Sequence, residues 1–252
     1  MRHRIGYRLS ERVGWSRGTY RETAAGELPA SSPRQAARIA ELQSRYHVRF
    51  EALLGAATSV RSYEYLDILD QAWSRAGLAR REVGVLCDVG CASFWYAAAL
   101  AAFFGPRRLL GVEIEGHRLL RDGRARIDHA RGYVAALANA EFVVADYSRY
   151  AQPADLISAW FPFLTPNAIL AWRLPLDLLR PQRLFERIHH NLTPGGLFLM
   201  VNHGPAEAEQ AHGLCEAVGL NSIWRGAVIS PLSASERLEP PWVSFWQRSI
   251  AD

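Results

Sequence analysis

Short apolar runs alternate with stretches of helical character from residue 83 to the end of the chain. The apolar runs typical of buried strands cover residues 83–89, 109–114, 142–145, 156–160 and 197–201. The helical stretches cover residues 94–104, a segment up to about residue 137, and residues 184–190. A further helix ending at Gly219 precedes two more strand candidates, at 222–229 and 242–248. This order predicts an α/β fold, a Rossmann-like, mainly parallel, doubly wound sheet of about seven strands with helices on both faces.

The residues before this sheet have the periodicity of helices. Ser31-Ser32-Pro33 offers a capping hydroxyl followed by a proline in the first turn. Apolar residues then recur at steps of three or four: Ile39, Leu42, Tyr46, Phe50 and Leu53, and in a second helix Leu66, Leu69, Trp73 and Ala76. We expect residues 31–80 to form a helical lid or extension, with Tyr63 and Tyr65 as candidates to reach a site, and residues 81–252 to form the Rossmann-like domain.

Residues 1–30 show no clear periodicity and are expected to form a loosely ordered basic arm. Residues 1–50 contain ten Arg and four acidic residues, whereas the rest of the chain has 19 basic and 21 acidic residues. Such an arm suits phosphate groups, in nucleic acid or on a membrane surface. The chain contains no Lys, so a composition bias and a solvated leader explain the same excess, and both interpretations stay open.

The composition, 49% hydrophobic and 21% charged, is that of a globular protein. No apolar stretch approaches the roughly 18 residues that a membrane span needs, and the basic N-terminus is not followed by the pattern of a secretory signal. We expect a cytoplasmic protein. Cys87, Cys91 and Cys215 do not have the spacing of a metal site, so no metal is expected. Nothing in the sequence indicates an oligomeric state.

Polar residues stand where the predicted parallel strands end, and ligands of open α/β sheets bind at that edge. The first strand ends in Asp88-Val89-Gly90-Cys91-Ala92-Ser93, where Gly90 permits a tight turn and the following helix offers free backbone N–H groups. The second strand ends in Glu113, whose carboxylate suits the two hydroxyls of a ribose. The third is followed by Asp146, which suits the amino group of an adenine.

These residues, together with Leu192-Thr193-Pro194-Gly195-Gly196 before the fifth strand, resemble the class I S-adenosylmethionine-dependent methyltransferases over roughly residues 81–205. The resemblance implies that S-adenosylmethionine is the cofactor. It implies that the loop with Asp88, Gly90, Cys91 and Ala92 holds the methionine part. By the same resemblance, Glu113 binds the ribose and Asp146 lies beside the adenine.

The first loop departs from the family pattern. Three alternating glycines are usual there, and this chain has Gly90, Ala92 and Phe94. Phe94 is expected either to narrow the approach to the loop or to point into the core. Three functions therefore stay open: an active methyltransferase, a non-catalytic scaffold or binding module that has lost the cofactor, and an NAD-dependent oxidoreductase. The missing glycines disfavour the last most, because a pyrophosphate needs a closer backbone approach.

The acceptor side is defined less sharply by the sequence. The fourth strand ends in Ser158-Ala159-Trp160-Phe161-Pro162-Phe163 and lacks the polar residue and second proline of family members that methylate base amino groups or glutamine amides. Trp160 and its neighbours are expected to line a pocket for a flat or apolar acceptor, to stack on the adenine, or to belong to the core. Asn202 and His203 follow the fifth strand as candidate catalytic residues, because imidazole changes its charge near neutral pH. A small-molecule acceptor is favoured, and nucleic acid remains possible through the basic arm.

Overall fold

The computed structural model of the chain describes residues 2–29, 32–233 and 239–250. Its strands are β1 (Val85–Val89), β2 (Arg108–Glu113), β3 (Ala140–Val144), β4 (Ala154–Trp160), β5 (Leu192–Asn202), β6 (Asn221–Ala227) and β7 (Trp242–Gln247). Its α-helices are α1 (Arg2–Val13), α2 (Pro33–Tyr46), α3 (Ala56–Arg75), α4 (Ala97–Phe104), α5 (Arg126–Val134), α6 (Pro166–Ala171), α7 (Pro181–Asn191) and α8 (Pro205–Ala217). The described residues thus alternate between strands and helices after residue 83, as the sequence predicts.

The seven strands form one sheet in the order β3-β2-β1-β4-β5-β7-β6. Strands β1 to β5 are mutually parallel, and β7 runs antiparallel to both β5 and β6. The chain leaves β1 toward one side of the sheet and β4 toward the other, so the order reverses between these two neighbours. The predicted Rossmann-like fold class is therefore confirmed, and a ligand site is expected above the carboxyl ends of β1 and β4.

Helices cover both faces of the sheet. One hydrophobic cluster joins α3 and α4 to the sheet, and it includes Leu69, Leu100 and Leu156. The other lies beneath α7 and α8, and it includes Phe185, Cys215 and Phe198. Because the helices of residues 31–80 share a core with the sheet, they are a layer of the same fold. Whether this layer acts as a lid stays a prediction.

Helix α2 begins after Ser32, with Pro33 in its first turn, as expected from the sequence. Ser32 accepts a hydrogen bond from the backbone N–H of Gln35 at 3.3 Å, and the Gln35 side chain accepts one from the Ser32 N–H. Arg38 then ties α2 to α3, because it donates to Asp67 at 2.6 Å and to Asp70 at 2.7 Å. The helical layer is held together by charge as well as by apolar packing.

The N-terminal residues differ from the loosely ordered arm expected for residues 1–30. Residues Arg2–Val13 form α1, and the irregular chain after it is fixed by polar contacts. Ser16 donates to Asp128, and Glu22 accepts from the N–H of Gly55 and the hydroxyl of Tyr133, each at 2.8 Å. Hydrophobic periodicity does not detect a segment that is held by such contacts, which explains the difference.

Residues 192–196 also differ from their predicted role as a turn before the fifth strand. They belong to β5 and bulge from it: Ala154 pairs with Leu192 and Leu156 with Leu197, so four residues of β5, 193–196, stand opposite the single residue Asp155 of β4. Glycine and proline in this stretch accommodate the bulge. Within the described ranges, no helix combines the length and apolar character needed to cross a membrane.

Candidate functional site

A cavity of about 960 Å³ opens at the carboxyl ends of the parallel strands. This volume lies at the upper end of the range of about 300–1,000 Å³ for small-molecule sites, and it suits two molecules side by side. Its walls come from the β1–α4 loop, the ends of β2 and β4, and the segment between β4 and α7. The cavity therefore lies where the sheet order reverses.

The loop after β1 has the backbone conformation that favours glycine at three positions, although only one of these residues is a glycine. Gly90, Ala92 and Phe94 have φ values of +69°, +51° and +55°, in the left-handed region that side chains with a Cβ disfavour. A Cβ at Gly90 would meet no atom within 4 Å, so the backbone there faces open space. A left-handed backbone thus occurs at all three alternating positions, although Ala and Phe occupy two of them.

Phe94 points into the core, which is one of its two predicted orientations. Its side chain is completely buried, and it occupies the space that a side chain at Gly111 on β2 would need. Cys91 is also completely buried and packs toward Gly111, and burial raises the pKa of its thiol well above the ordinary value. Neither side chain lines the cavity, so Phe94 leaves the approach to the loop open.

Asp88 lies beneath the cavity and supports its wall. The carboxylate is completely buried and accepts hydrogen bonds from Ser158 at 2.5 Å and from Tyr96 at 2.6 Å. Burial raises the pKa of Asp88 to about 7, although both hydrogen bonds act in the opposite direction. Tyr96 lines the cavity and Asp88 does not, so this carboxylate acts on the cavity through Tyr96.

Glu113 faces the cavity and also fixes the loop. One carboxylate oxygen accepts from the backbone N–H of Ala92 and the other from that of Glu115, both at 2.8 Å. Arg126 lies 3.3 Å from the same carboxylate, and its side chain is almost completely buried. An ionised carboxylate accepts about four hydrogen bonds, so Glu113 retains acceptor capacity toward a ligand.

Asp146 lines the cavity at the end of β3. Its Oδ1 accepts from the backbone N–H of Ser148 at 3.0 Å and from the hydroxyl of Ser148 at 2.7 Å. These bonds cap the short 3-10 turn Tyr147–Arg149. Tyr147 and Ser148 line the cavity next to Asp146, which gives this corner both donors and acceptors for a heterocyclic ring.

Aromatic side chains from three elements form one wall of the cavity. Tyr65 of α3 stacks on Trp160 of β4 with ring centroids 4.1 Å apart, and Trp95 packs edge-on against Tyr65. The indole N–H of Trp160 is buried and has no hydrogen-bond partner among the described residues. Trp160 therefore contributes the apolar surface of its ring to the cavity.

The two candidate catalytic residues lie at different depths. His203 lines the cavity, and its ring stacks on Phe161 with centroids 4.1 Å apart. Its backbone N–H donates to Glu207 at 2.9 Å. Asn202 is 1% exposed and does not line the cavity, and its side-chain amide has no partner among the described residues.

The structure therefore brings together Gly90, Ala92, Glu113, Asp146 and Trp160 in one cavity, which His203 also lines. Asp88, Cys91 and Asn202 lie behind its walls. The roles assigned to all of these residues stay predictions. Tyr65 lines the cavity as expected for the helical layer, whereas Tyr63 is buried and its hydroxyl donates to Glu51 at 2.8 Å.

The sequence analysis missed two arginines of the cavity, Arg61 and Arg180. Arg61 of α3 lies over the ring of Trp95, 4.0 Å from its centroid. It precedes Tyr65 by four residues and so shares its helix face, which is the signal that would have found it. Arg180 precedes α7 and carries no such signal.

The chain shares its fold with solved S-adenosylmethionine-dependent methyltransferases. The N-methyltransferase NodS from Bradyrhizobium japonicum WM9, solved with S-adenosyl-L-homocysteine, is similar to this chain with a TM-score of 0.53 and 14% identity, over 75% of this chain and 87% of NodS. An S-adenosylmethionine-dependent methyltransferase from Clostridium acetobutylicum ATCC 824 gives 0.50 and 11% identity, over 85% and 98%. One from Aquifex aeolicus gives 0.50 and 15%, over 74% and 92%. No protein-family model and no curated protein sequence matches this chain.

Proposed function

We propose that this protein is an S-adenosylmethionine-dependent methyltransferase that acts on a small acceptor with a flat or apolar part. The observation that carries the proposal is the left-handed backbone at Gly90, Ala92 and Phe94, in a loop that borders the cavity directly beside Glu113. A loop without glycines at two positions keeps this conformation at a cost of about 1–2 kcal/mol per residue. Such strain is typical of a functional site.

The residues of the cavity suit the parts of this cofactor. The open space beside Gly90 and the N–H groups at the start of α4 suit the methionine part, and Arg61 supplies a cation for its carboxylate. Glu113 suits the ribose hydroxyls and Asp146 the adenine. When bound, the cofactor supplies an activated methyl group on a sulfonium sulfur.

The residues proposed to contact the acceptor are suited to position it more than to activate it chemically. Tyr65, Trp160 and Phe161 present aromatic surfaces to the cavity. Methyl transfer is an in-line displacement, so holding an acceptor lone pair against the methyl carbon provides much of the acceleration. His203 is the candidate to orient the acceptor or to take its proton.

Calorimetric titration with S-adenosylmethionine, S-adenosylhomocysteine and NAD tests the proposal. We expect micromolar binding of the first two ligands and none of NAD. Binding of NAD alone would replace the proposal with an oxidoreductase. If folded protein bound none of the three ligands, the non-catalytic scaffold would be favoured. One observation fits that alternative: both Glu113 carboxylate oxygens already accept hydrogen bonds from backbone N–H groups.

A second titration separates the cofactor contacts from the loop that carries them. Arg61→Gln is expected to weaken S-adenosylmethionine and to leave adenosine binding unchanged, because only the former has a carboxylate. Arg75→Gln, on the same helix and outside the cavity, is the matched control. Equal losses for both ligands would remove Arg61 from the proposed carboxylate site.

A further inference from the structure

The outward face of α1 exposes a stripe of aliphatic side chains. Ile5, Leu9 and Val13 follow each other at steps of four and are 59%, 61% and 61% exposed. Residues at this spacing lie in one row along a helix. Trp15, just after the helix, is 44% exposed. A soluble monomer rarely leaves such a contiguous apolar patch uncovered, which indicates an interaction surface.

A row of arginines runs beside the apolar stripe. Arg4, Arg8 and Arg12 each precede one of the aliphatic residues and are exposed. Arg4 lies 3.4 Å from Asp177, whereas Arg8 and Arg12 form no ion pair with any residue that the structure describes. The helix therefore offers an apolar row and a cationic row side by side, the pattern of an amphipathic helix that lies in a membrane interface.

The inner face of α1 is held at the rim of the cavity. Tyr7 is half-buried, and burial raises its pKa, with further increases from the charges of Glu11 and of Asp146 and Glu113 in the cavity wall. A Cβ at Gly14 would lie 3.9 Å from the His117 ring. The half-buried Tyr7 and the ion pair between Arg4 and Asp177 mark the inner side of α1, and the exposed Ile5, Leu9 and Val13 mark the outer side.

The segments that hold α1 expose apolar side chains of their own. Leu119, two residues after His117, is 56% exposed, and Leu176, next to Asp177, is 50% exposed. Trp172, which lines the cavity, is 37% exposed. Exposed apolar side chains thus also occur on the segments that adjoin α1.

We propose that α1 docks this protein on an anionic lipid surface, with Ile5, Leu9 and Val13 at the acyl boundary and Arg8 and Arg12 on the headgroups. An anionic surface complements the unpaired arginines. Nucleic acid would use the arginines but would leave the aliphatic row exposed. A second copy of α1 would cover the aliphatic row but would bring like charges together. This docking needs no cofactor, so its test is independent of the test of the proposed methyl transfer.

Co-sedimentation of the full chain with vesicles tests the docking in the absence of S-adenosylmethionine. The vesicles are phosphatidylcholine alone, or about three parts phosphatidylcholine to one part phosphatidylglycerol. We expect binding to the second kind only, and weaker binding when salt rises from about 0.1 M to about 1 M, because the Debye length falls from about 10 Å to about 3 Å.

Two variants and one control assign the binding to α1. The triple variant Ile5→Ser, Leu9→Ser, Val13→Ser and the double variant Arg8→Gln, Arg12→Gln should each weaken vesicle binding more than about tenfold. The control combines Arg107→Gln with Ile250→Ser, since both residues are exposed and lie away from α1 and the cavity. The control should bind as the unmodified chain does. Circular dichroism of each protein checks that it is folded.

Several outcomes would overturn the proposal. Absence of binding to anionic vesicles would do so directly, as would binding that the serine variant retains. Binding of polyuridylate that depends on Arg8 and Arg12, without vesicle binding, would establish nucleic acid as the partner. If sedimentation velocity showed a dimer for the unmodified chain and a monomer for the serine variant alone, the stripe would be an interface between copies of this chain.

Discussion

The ring of Phe94 fills the space beside Gly111: a Cβ at residue 111 would lie 2.5 Å from Cδ1 and 2.7 Å from Cε1 of that ring. One residue belongs to the loop after β1 and the other to β2. Phe94 occupies a position where the methyltransferase loop usually has glycine, and the bulk that it adds is accommodated by the glycine opposite. The two positions are therefore expected to be energetically coupled.

Gly111→Ala should reduce the free energy of unfolding by about 1–3 kcal/mol, because the new methyl group overpacks the core against Phe94 and Cys91. The same substitution should cost less in a Phe94→Leu background, which a double-mutant cycle by denaturant unfolding would measure. Gly213→Ala is the control, since its Cβ would meet no atom within 4 Å in α8. Additive effects of the two core substitutions would contradict the coupling.

Ala92→Gly should stabilise the protein by up to about 1 kcal/mol, because it relieves a φ of +51° that costs a Cβ-bearing residue about 1–2 kcal/mol. Part of that gain is offset by the greater entropy of glycine in the unfolded chain. Ala99→Gly within α4, where the backbone is helical, should instead destabilise by about 1 kcal/mol. Thermal unfolding would measure the change in stability for both variants. If both substitutions destabilised the protein, this would argue against strain at Ala92.

Asp88 should make stability fall as pH rises from about 4 to about 7. Burial raises its pKa to about 7, so the folded protein keeps a proton that the unfolded chain releases near pH 4. The stabilisation is complete at low pH and is lost as pH passes through the folded pKa. At about 1.4 kcal/mol per pKa unit, the effect amounts to a few kcal/mol.

Asp88→Asn should remove this part of the pH dependence, as measured by denaturant unfolding at several pH values. Tyr96→Phe removes a hydrogen bond to the carboxylate that holds its pKa down, so it should extend the decline in stability to higher pH. If Asp88→Asn and the unmodified chain had parallel stability profiles, the pKa of Asp88 would have to be the same in the folded and the unfolded chain.

Glu113→Gln should weaken S-adenosylmethionine and S-adenosylhomocysteine by the same factor, more than about tenfold, since a charge-assisted hydrogen bond contributes about 1.5–3 kcal/mol. Both ligands carry the same ribose. Glu115→Gln is the matched control, because Glu115 contacts the same Arg126 and does not line the cavity. Calorimetry would measure both, and a loss confined to one ligand would contradict a ribose contact.

Trp160→Phe should affect ligand binding more than Trp73→Phe. Both indole N–H groups are buried without a partner among the described residues, so removing either relieves a desolvation cost of about 1–3 kcal/mol in the free protein. Only Trp160 lines the cavity. We expect acceptor or cofactor affinity to fall for Trp160→Phe alone, because its larger ring forms part of the cavity wall, and equal affinities would show that the Trp160 ring contacts no ligand.

The sheet and the residues at its strand ends could be predicted because their signals are local. Apolar runs mark the strands, and Gly90, Glu113 and Asp146 follow them directly in sequence. What could not be predicted depends on distant partners. Asp88 looks like its neighbours in sequence, but its hydrogen bonds to Ser158 and Tyr96 turn it away from the cavity. The ordering of residues 14–29 likewise depends on Asp128 and Tyr133, more than 100 residues later.

The packing of Trp73 in α3 against Phe245 in β7, with ring centroids 5.4 Å apart, has a consequence for synthesis of the chain. Phe245 leaves the ribosome 172 positions after Trp73. Until then the contacts between α3 and β7 cannot form, and this part of the apolar face of α3 stays exposed to chaperones and to other nascent chains. Strand β7 thus determines when the burial of Trp73 is completed.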